Sequence, residues 1–449
     1  MNFHKHEKFI ALEKSLPVEK IRWNGYGIWA SMRTYLYYQY TRSQKGAAAM
    51  PSFLSLIRSL FLNPHLLFRK YDYWVISSSD QRKWIQGKWM DAHDCAEVLR
   101  TKALYWELPN PRHKHPVASA HRVSKLWFYT LERLFKVLKK TEVDPESRSV
   151  FDQFCENLNI DANLDDFVSR FRAEYCVTRF FLKRMKTKVV FLTTHFTNTA
   201  RIAAAHSLGI EVVELQHGLI SDSHPGYTYV KADGSLLPDV LITYGQNEVE
   251  LLEKYELGKT TRLKPLGHFF LDQMSRSPEA KNGLPKSKSV RYRICFAAQD
   301  AIDEPFIRWL NRLAQLLPKD ELVLIPRRKS IEWYREHGLM SSISFLNRNT
   351  YEVIASSDVH STVFSTCALE ALALDVPNVL MNIDGLSGQH FGHIAYPETP
   401  TWIVNEPEEF AKVIESGIWQ GASPASAGEK YFKPGFRENF NQFLSQYAR

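Results

Sequence analysis

The sequence predicts an α/β protein, and three observations predict it. From residue 186 onward, short runs rich in Val, Ile and Leu alternate with amphipathic segments of helical period, the rhythm of parallel strands covered by helices. A polar stretch rich in Pro, Gly, Ser and Lys, SRSPEAKNGLPKSKS (275–289), interrupts that rhythm, and the same rhythm restarts after it. The chain has 449 residues, more than one ordinary domain holds. Together these predict two Rossmann-like domains facing across a cleft, with a helical N-terminal extension. The expected division is a helical basic segment over 1–70, a first α/β domain with a helical insertion over 71–274, a linker over 275–289, a second α/β domain over 290–430 and a C-terminal helix within 431–449.

Each element has its own signal. Residues 1–70 read as helices broken near Gly46 and Pro51, and YDYWVISSS (71–79) is the first aromatic, β-branched strand. Residues 92–185 read as mainly helical around the amphipathic SKLWFYTLERLFKVLKK (124–140), with PNPRHKHP (109–116) as a loop. KVVFLTTHF is a strand, TNTARIAAAHSLG a helix closing on Gly209, and EVVELQHG the next strand. DVLITYG, NEVELLEKYEL and TRLKPLGH continue as strand, helix and strand. After the linker come RYRICFAAQ, the helix DEPFIRWLNRLAQLLP, the strands ELVLIPRR and SISFL, and the helix TYEVIASS. DVHSTVFSTCALEALALDVPNVLMNI (358–383) then reads as strand, small-polar turn, apolar helix and strand. Helices over 408–419 and 436–447 finish the chain.

Composition excludes several classes. Hydrophobic content of 44% with 24% charged residues is that of a folded globular chain, and no run approaches the ~18 apolar residues of a membrane helix. The N-terminal residues lack the apolar core of a signal peptide, and Cys95, Cys155, Cys176, Cys295 and Cys367 form no CxxC pair, which points to free thiols in a reducing cytoplasm. The net charge of +8 is uneven: residues 1–150 hold 25 Lys/Arg against 13 Asp/Glu, the rest 32 against 36. The basic, aromatic stretches 22–42 and 51–71 leave two readings open, core helices or contact with an anionic membrane surface. No nucleic-acid-binding module is present, and nucleic acid is not an expected partner.

The motifs collect at strand ends, where open α/β sheets bind ligands. His217 ends the strand EVVELQ before Gly218, and a histidine there suits a general base or a phosphate contact, with His224 in the loop beyond. His195 ends VVFLTTHF on an expected neighbouring strand, and Asp80 follows YWVISSS as a second carboxylate candidate for the base. Arg327 and Arg328 end ELVLI, apt for gripping phosphate oxygens. Ser361 ends a strand, Ser365 and Thr366 start a helix whose unpaired N–H groups favour phosphate, and Glu370 is the single acid in CALEALAL, placed to reach sugar hydroxyls. Gln389 and His390 leave the strand NVLMNI toward the same edge. Gly25-Tyr26-Gly27 fits a dinucleotide spacing but follows no convincing strand, and His113, His115 and His121 have no metal-ligating partners nearby, so no metal is expected.

LQHG (215–218) and SDVHSTVFSTCALEALALDVPNVL (357–380) resemble elements of GT-B-type bacterial surface-polysaccharide glycosyltransferases, with local similarity to CDP-glycerol glycerophosphotransferase-like enzymes. The resemblance covers residues 186–425; Ile325-Pro326-Arg327 stands where relatives often show His-Pro, and the first 185 residues match no such signature. It implies a metal-independent transferase moving a sugar from a nucleotide-activated donor to a saccharide or lipid-linked acceptor. The nucleotide-sugar would be a substrate, with no cofactor required. His217 would be the base; Ser361, Ser365 and Thr366 would hold the diphosphate and Glu370 the ribose. The surface polymer would be capsule, O-antigen, lipopolysaccharide or teichoic acid, made by a cytoplasmic enzyme, peripheral on the inner membrane face in the second reading of the basic stretches. Polyol-phosphate transfer, sugar-nucleotide epimerisation and a non-catalytic scaffold of an assembly complex stay open as alternatives.

Overall fold

Parallel strands covered on both faces must be apolar throughout, and the central runs after residue 186 meet that demand: Val189–Leu192 and Val240–Thr243 are buried along their whole length. The computed structural model describes residues 3–41, 60–77, 82–85, 87–107, 117–138, 142–222, 224–275, 289–299, 302–421 and 424–447. Asp80, the loop at 109–116 and residues 276–288 of the expected linker lie outside the described residues. The chain divides into two units: Met1–Thr243 with Asn247–Pro265 and Phe440–Arg449, and Tyr244–Gln246 with Leu266–Asn439. Each is a Rossmann-like α/β unit built on its own parallel sheet.

The first unit begins with the helix Phe3–Ser15 and an antiparallel hairpin of β1 (Arg22–Trp23) and β2 (Tyr26–Gly27). Asn24 and Gly25 both take positive φ, 48° and 87°, as a two-residue type I′ turn requires. Residues 22–27 are therefore a hairpin rather than part of a helix, and the Gly25–Gly27 spacing is turn chemistry. The helix Trp29–Thr41 follows. Then come β3 (Tyr73–Ile76), the hairpin β4 (Lys83–Ile85) and β5 (Lys88–Met90), β6 (Ala103–Glu107) and β7 (His121–Ser124). The last two strands correct the mainly helical expectation for 92–185; ALYWE is buried at every position, so it carries no alternation to betray it. The helices Leu126–Leu138, Pro145–Leu158 and Leu164–Met185 lead into β8 (Val189–Leu192), β9 (Glu211–Leu215), β10 (Val240–Thr243) and β11 (Arg262–Pro265).

The seven-stranded sheet runs β11-β10-β9-β8-β3-β6-β7, all parallel. From β3 the chain moves outward to β6 and β7, then returns to β8 on the other side of β3. The strand order therefore reverses between β3 and β8, which opens a crevice at their carboxyl ends.

The second unit repeats this plan. Its strands are β12 (Arg293–Ala297), β13 (Glu321–Ile325), β14 (Ser344–Phe345), β15 (Val359–Ser361), β16 (Asn378–Met381) and β17 (Thr401–Val404). Their order is β14-β13-β12-β15-β16-β17, all parallel, so here the reversal falls between β12 and β15. No described helix is long and apolar enough to cross a membrane.

The N-terminal residues belong to the first unit's core. Phe9, Val18, Ile21, Trp29 and Leu36 are buried in one cluster with Phe151, Phe154 and Phe171, so residues 22–41 take the packed one of the two readings. A buried ion pair locks them: Arg33 donates to Glu13 through Nε at 2.7 Å and Nη2 at 2.9 Å, and both side chains are fully buried. Arg33 also donates to the Pro225 carbonyl, and to the Thr228 carbonyl at 3.0 Å. Glu13→Ala leaves a buried guanidinium unpaired and is expected to destabilise this unit by about 3–5 kcal/mol, read by urea unfolding. The double variant Glu13→Leu/Arg33→Met should recover most of the loss, because it removes both charges.

Candidate functional site

In the first unit the site is built around a buried acid. Glu214 lies on β9 with no exposed surface, and a carboxylate there must be satisfied by donors. The His195 backbone N–H donates to Oε1 at 3.2 Å, His195 Nδ1 lies 2.5 Å from Oε2, and the Tyr227 hydroxyl donates to Oε1 at 2.8 Å. Burial works to raise the Glu214 pKa, but the His195 charge and these hydrogen bonds outweigh it and leave the carboxyl below its ordinary value.

His217 stands just past β9, half-buried, with Nδ1 3.4 Å from the Tyr227 oxygen. The Tyr227 proton goes to Glu214, which only accepts, so the tyrosine oxygen is left to accept from His217 Nδ1–H. That tautomer leaves the Nε2 lone pair for another partner. Burial, helped by His195, holds the His217 pKa below its usual value despite the opposing Glu214 charge. His224 joins the cluster: its Nδ1 accepts from the Gly226 N–H at 3.2 Å, and burial pulls its pKa down to about 4. The Phe196 ring packs against both, at 6.2 Å from His217 and 5.6 Å from His224. Three of the expected residues thus converge in this unit. His195 is fully buried against Glu214, the position of a supporting group rather than one that meets a ligand.

Sequence reasoning missed Glu214 and Tyr227. The signal was present in EVVEL, where a strand buried on both faces carries an acid in its interior.

In the second unit the expected residues line the carboxyl edge of one sheet. Arg327 and Arg328 are exposed after β13, and Arg327 Nη1 donates to the Gln299 side chain at 2.9 Å. Lys329 beside them is ion-paired to Asp303 and lies over the Trp333 ring. Ser361 is fully buried on β15 with no hydrogen-bond partner for its hydroxyl among the described residues, while the neighbouring Thr362 ties β15 to the Ala297 carbonyl of β12 at 2.9 Å. Ser365 Oγ accepts from the Cys367 N–H at 3.4 Å, and Thr366 is exposed and makes no side-chain cap on the two-turn helix Cys367–Ala373. Glu370 accepts from the Tyr351 hydroxyl at 3.2 Å; burial, then the Glu370 charge, push the Tyr351 pKa well above its ordinary value. Gln389 and His390 are exposed on the helix Leu386–Phe391, and His390 stacks on Phe364 at 5.6 Å.

No protein-family model matches the chain, and no curated protein does. Among solved structures, the calicheamicin glycosyltransferase CalG4 is similar over 84% of this chain and 98% of its own, at 11% identity with a TM-score of 0.49. A UDP-N-acetylglucosamine 2-epimerase is similar over 85% and 97%, at 12% identity and a TM-score of 0.48. Anabaena HepE, solved in complex with UDP, is similar over 84% and 99%, at 12% identity and a TM-score of 0.44. The functional reading below rests on the chain's own residues.

The hydrogen-bond order around Tyr227 fixes a checkable proton. Long-range ¹⁵N NMR on the wild type should show His217 protonated at Nδ1. Tyr227→Phe should shift it toward the Nε2–H form and cost about 1–3 kcal/mol of stability, since Glu214 loses a donor. A wild-type His217 protonated at Nε2 would overturn the arrangement.

Proposed function

We propose that the chain is a GT-B-type glycosyltransferase that moves a sugar from a nucleotide-activated donor to a saccharide or lipid-linked acceptor in bacterial surface-polysaccharide synthesis. One observation carries the reading: a half-buried histidine at a strand's carboxyl end, with its Nδ1 turned to a Tyr–Glu pair and its Nε2 left to accept a proton. In this reading His217 Nε2 takes the acceptor hydroxyl's proton as that oxygen bonds to the anomeric carbon. The bond from that carbon to the donor's diphosphate breaks, and the diphosphate leaves with the bonding electrons.

The second unit would hold the donor. Its sheet reverses order between β12 and β15, and Gln299, Ser365 and Thr366 follow those two strands. Arg327, oriented by Gln299, and Arg328 would meet the growing charge on the leaving diphosphate. Glu370 would accept from the ribose hydroxyls, with Tyr351 fixing its carboxylate. His224, its ring kept neutral, would shape the acceptor side.

A thermal-shift screen of the purified chain against UDP-, GDP-, dTDP-, CMP- and CDP-linked sugars should give a stabilising hit, because a ligand that binds only the folded state raises apparent stability. No hit at millimolar ligand would sink the enzyme reading in favour of a scaffold. With the donor found, His217→Ala should lower kcat by about 10²–10⁴-fold and leave donor affinity unchanged. Epimerised or hydrolysed donor formed without acceptor at the wild-type rate would replace transfer with another reaction.

The pH profile has a defined sign. His217 must be neutral to act as base, and its pKa lies below the usual 6.5. The acid limb of kcat/KM should therefore have its midpoint below about 6.5, with activity lost as pH falls through it and retained at pH 7. A midpoint above 7 would exclude His217 as the titrating group.

A further inference from the structure

The crevice that the strand reversal opens between β3 and β8 holds a cavity of about 270 Å³, lined by Ser77, Lys125, Tyr129, Thr194, Asn198 and Arg201 among others. A second cavity of about 310 Å³ adjoins it, and Glu174 and Thr197 line both. The second is walled by rings, among them Tyr35, Phe167 and Phe196. Phe196 is also the ring that packs against His217. The two cavities share that wall and are treated together as one groove, polar at the strand reversal and aromatic toward His217.

The chemistry of the groove is specific. Arg201 is 5% exposed, pairs with Glu132 and Glu174 at 2.7 Å each, and lies over the Trp106 ring at 4.9 Å. Its Nε is buried with no hydrogen-bond partner among the described residues. An orphaned buried donor costs free energy unless something binds it. Burial also pushes the Glu132 pKa up to about 7, a mark of poor solvation. Lys125 donates to the Ser77 carbonyl at 3.0 Å, and Arg170, which lines the second cavity, lies over the Phe167 ring at 5.1 Å. Both cations of the crevice are thus engaged, Arg201 by two carboxylates and Lys125 by a carbonyl, which suits hydroxyls better than a phosphate or carboxylate ligand.

Around these ions stands a hydroxyl-rich wall of Ser and Thr with an Asn amide, flanked by the partly exposed rings of Tyr35 and Tyr129. Such groups pair with vicinal hydroxyls, and flat rings stack on the apolar faces of sugars. One cavity stands just below and the other at the small end of the ~300–1,000 Å³ range of ligand sites, about enough for one sugar ring each.

We propose that this groove binds a neutral oligosaccharide of at least two sugar units, the leading unit in the aromatic cavity beside Phe196 and the preceding one on Arg201 and Glu174 in the β3/β8 crevice. This rests on the transferase reading and narrows it: the acceptor is a glycan chain, not a small polyol or a lone lipid phosphate.

The test uses the full chain on a printed array of neutral and anionic oligosaccharides with their component monosaccharides, followed by calorimetric titration of the best binder. A neutral oligosaccharide should bind, with its monosaccharides at least about tenfold weaker, and Tyr35→Ala and Tyr129→Ala should each weaken it by about tenfold or more while leaving the thermal midpoint unchanged. Both rings are partly exposed, so these variants should fold. A blank array, preference for anionic glycans or monosaccharides, or binding indifferent to both substitutions would overturn the proposal. Nucleotide-sugar stabilisation of the same preparation separates the two failures. Donor binding with a blank array removes the groove alone; a glycan hit with no donor binding removes the transferase reading and keeps the groove.

Discussion

The first unit depends on satisfying one carboxylate. Glu214 is fully buried inside a parallel sheet, and its charge is tolerable only because three donors converge on it. Those donors come from two different places, the turn after β8 and the loop after β9. Meeting the acid's needs therefore ties both loops to one point. The same geometry decides which nitrogen of His217 carries its proton, through the oxygen of Tyr227. A feature that looks costly for stability is thus what orients the histidine.

The loop that carries His224 and Tyr227 is held from its other side by the N-terminal segment. Arg33 spends its remaining donors on the carbonyls of Pro225 and Thr228, and its guanidinium lies over the Tyr229 ring at 5.3 Å. The arginine in turn is fixed by Glu13 on the first helix. Residues 3–41 therefore act on the site through packing, as a brace for a loop. Their positive charge is partly internal: Arg33 is consumed in the core and contributes nothing to a surface field.

The fold was legible where local pattern and tertiary role agreed. The strands after residue 186 are bounded by turn residues and separated by helices of the right period, and all but β17 stand where they were expected; TWIV is a four-residue run set among prolines and acids, too short to stand out. The hairpin at 22–27 was hidden because Asn24-Gly25 is a two-residue signal inside an aromatic run. β6 and β7 were hidden because a fully buried strand has no alternation, and their neighbours on either side are helical. Of the site, single residues at strand ends could be seen, since chemistry-bearing residues there stand out against apolar runs. Their partners could not. Nothing local links Glu214 to His195 or Glu13 to Arg33, because those pairings arise only when the sheet and the helices assemble.

The two units share a topology and use it differently. In each, the chain lays down a strand, moves outward through two more, and returns to the other side of the first. At the reversal in the first unit stand buried charges, Arg201 with two carboxylates, and the histidine cluster lies one strand away. At the reversal in the second unit stand hydroxyls and backbone, with Thr362 bonded to Ala297 and its cations exposed at the rim on Arg327 and Arg328. Buried paired charge is costly to disturb, because each added ion would upset pairs already made. The exposed arginines of the second reversal, one of them held by the buried Gln299 side chain, stand beside short hydroxyl turns. On one shared strand order, the burial of charge therefore separates the two reversals: paired ions inside the first, hydroxyls and rim cations at the second.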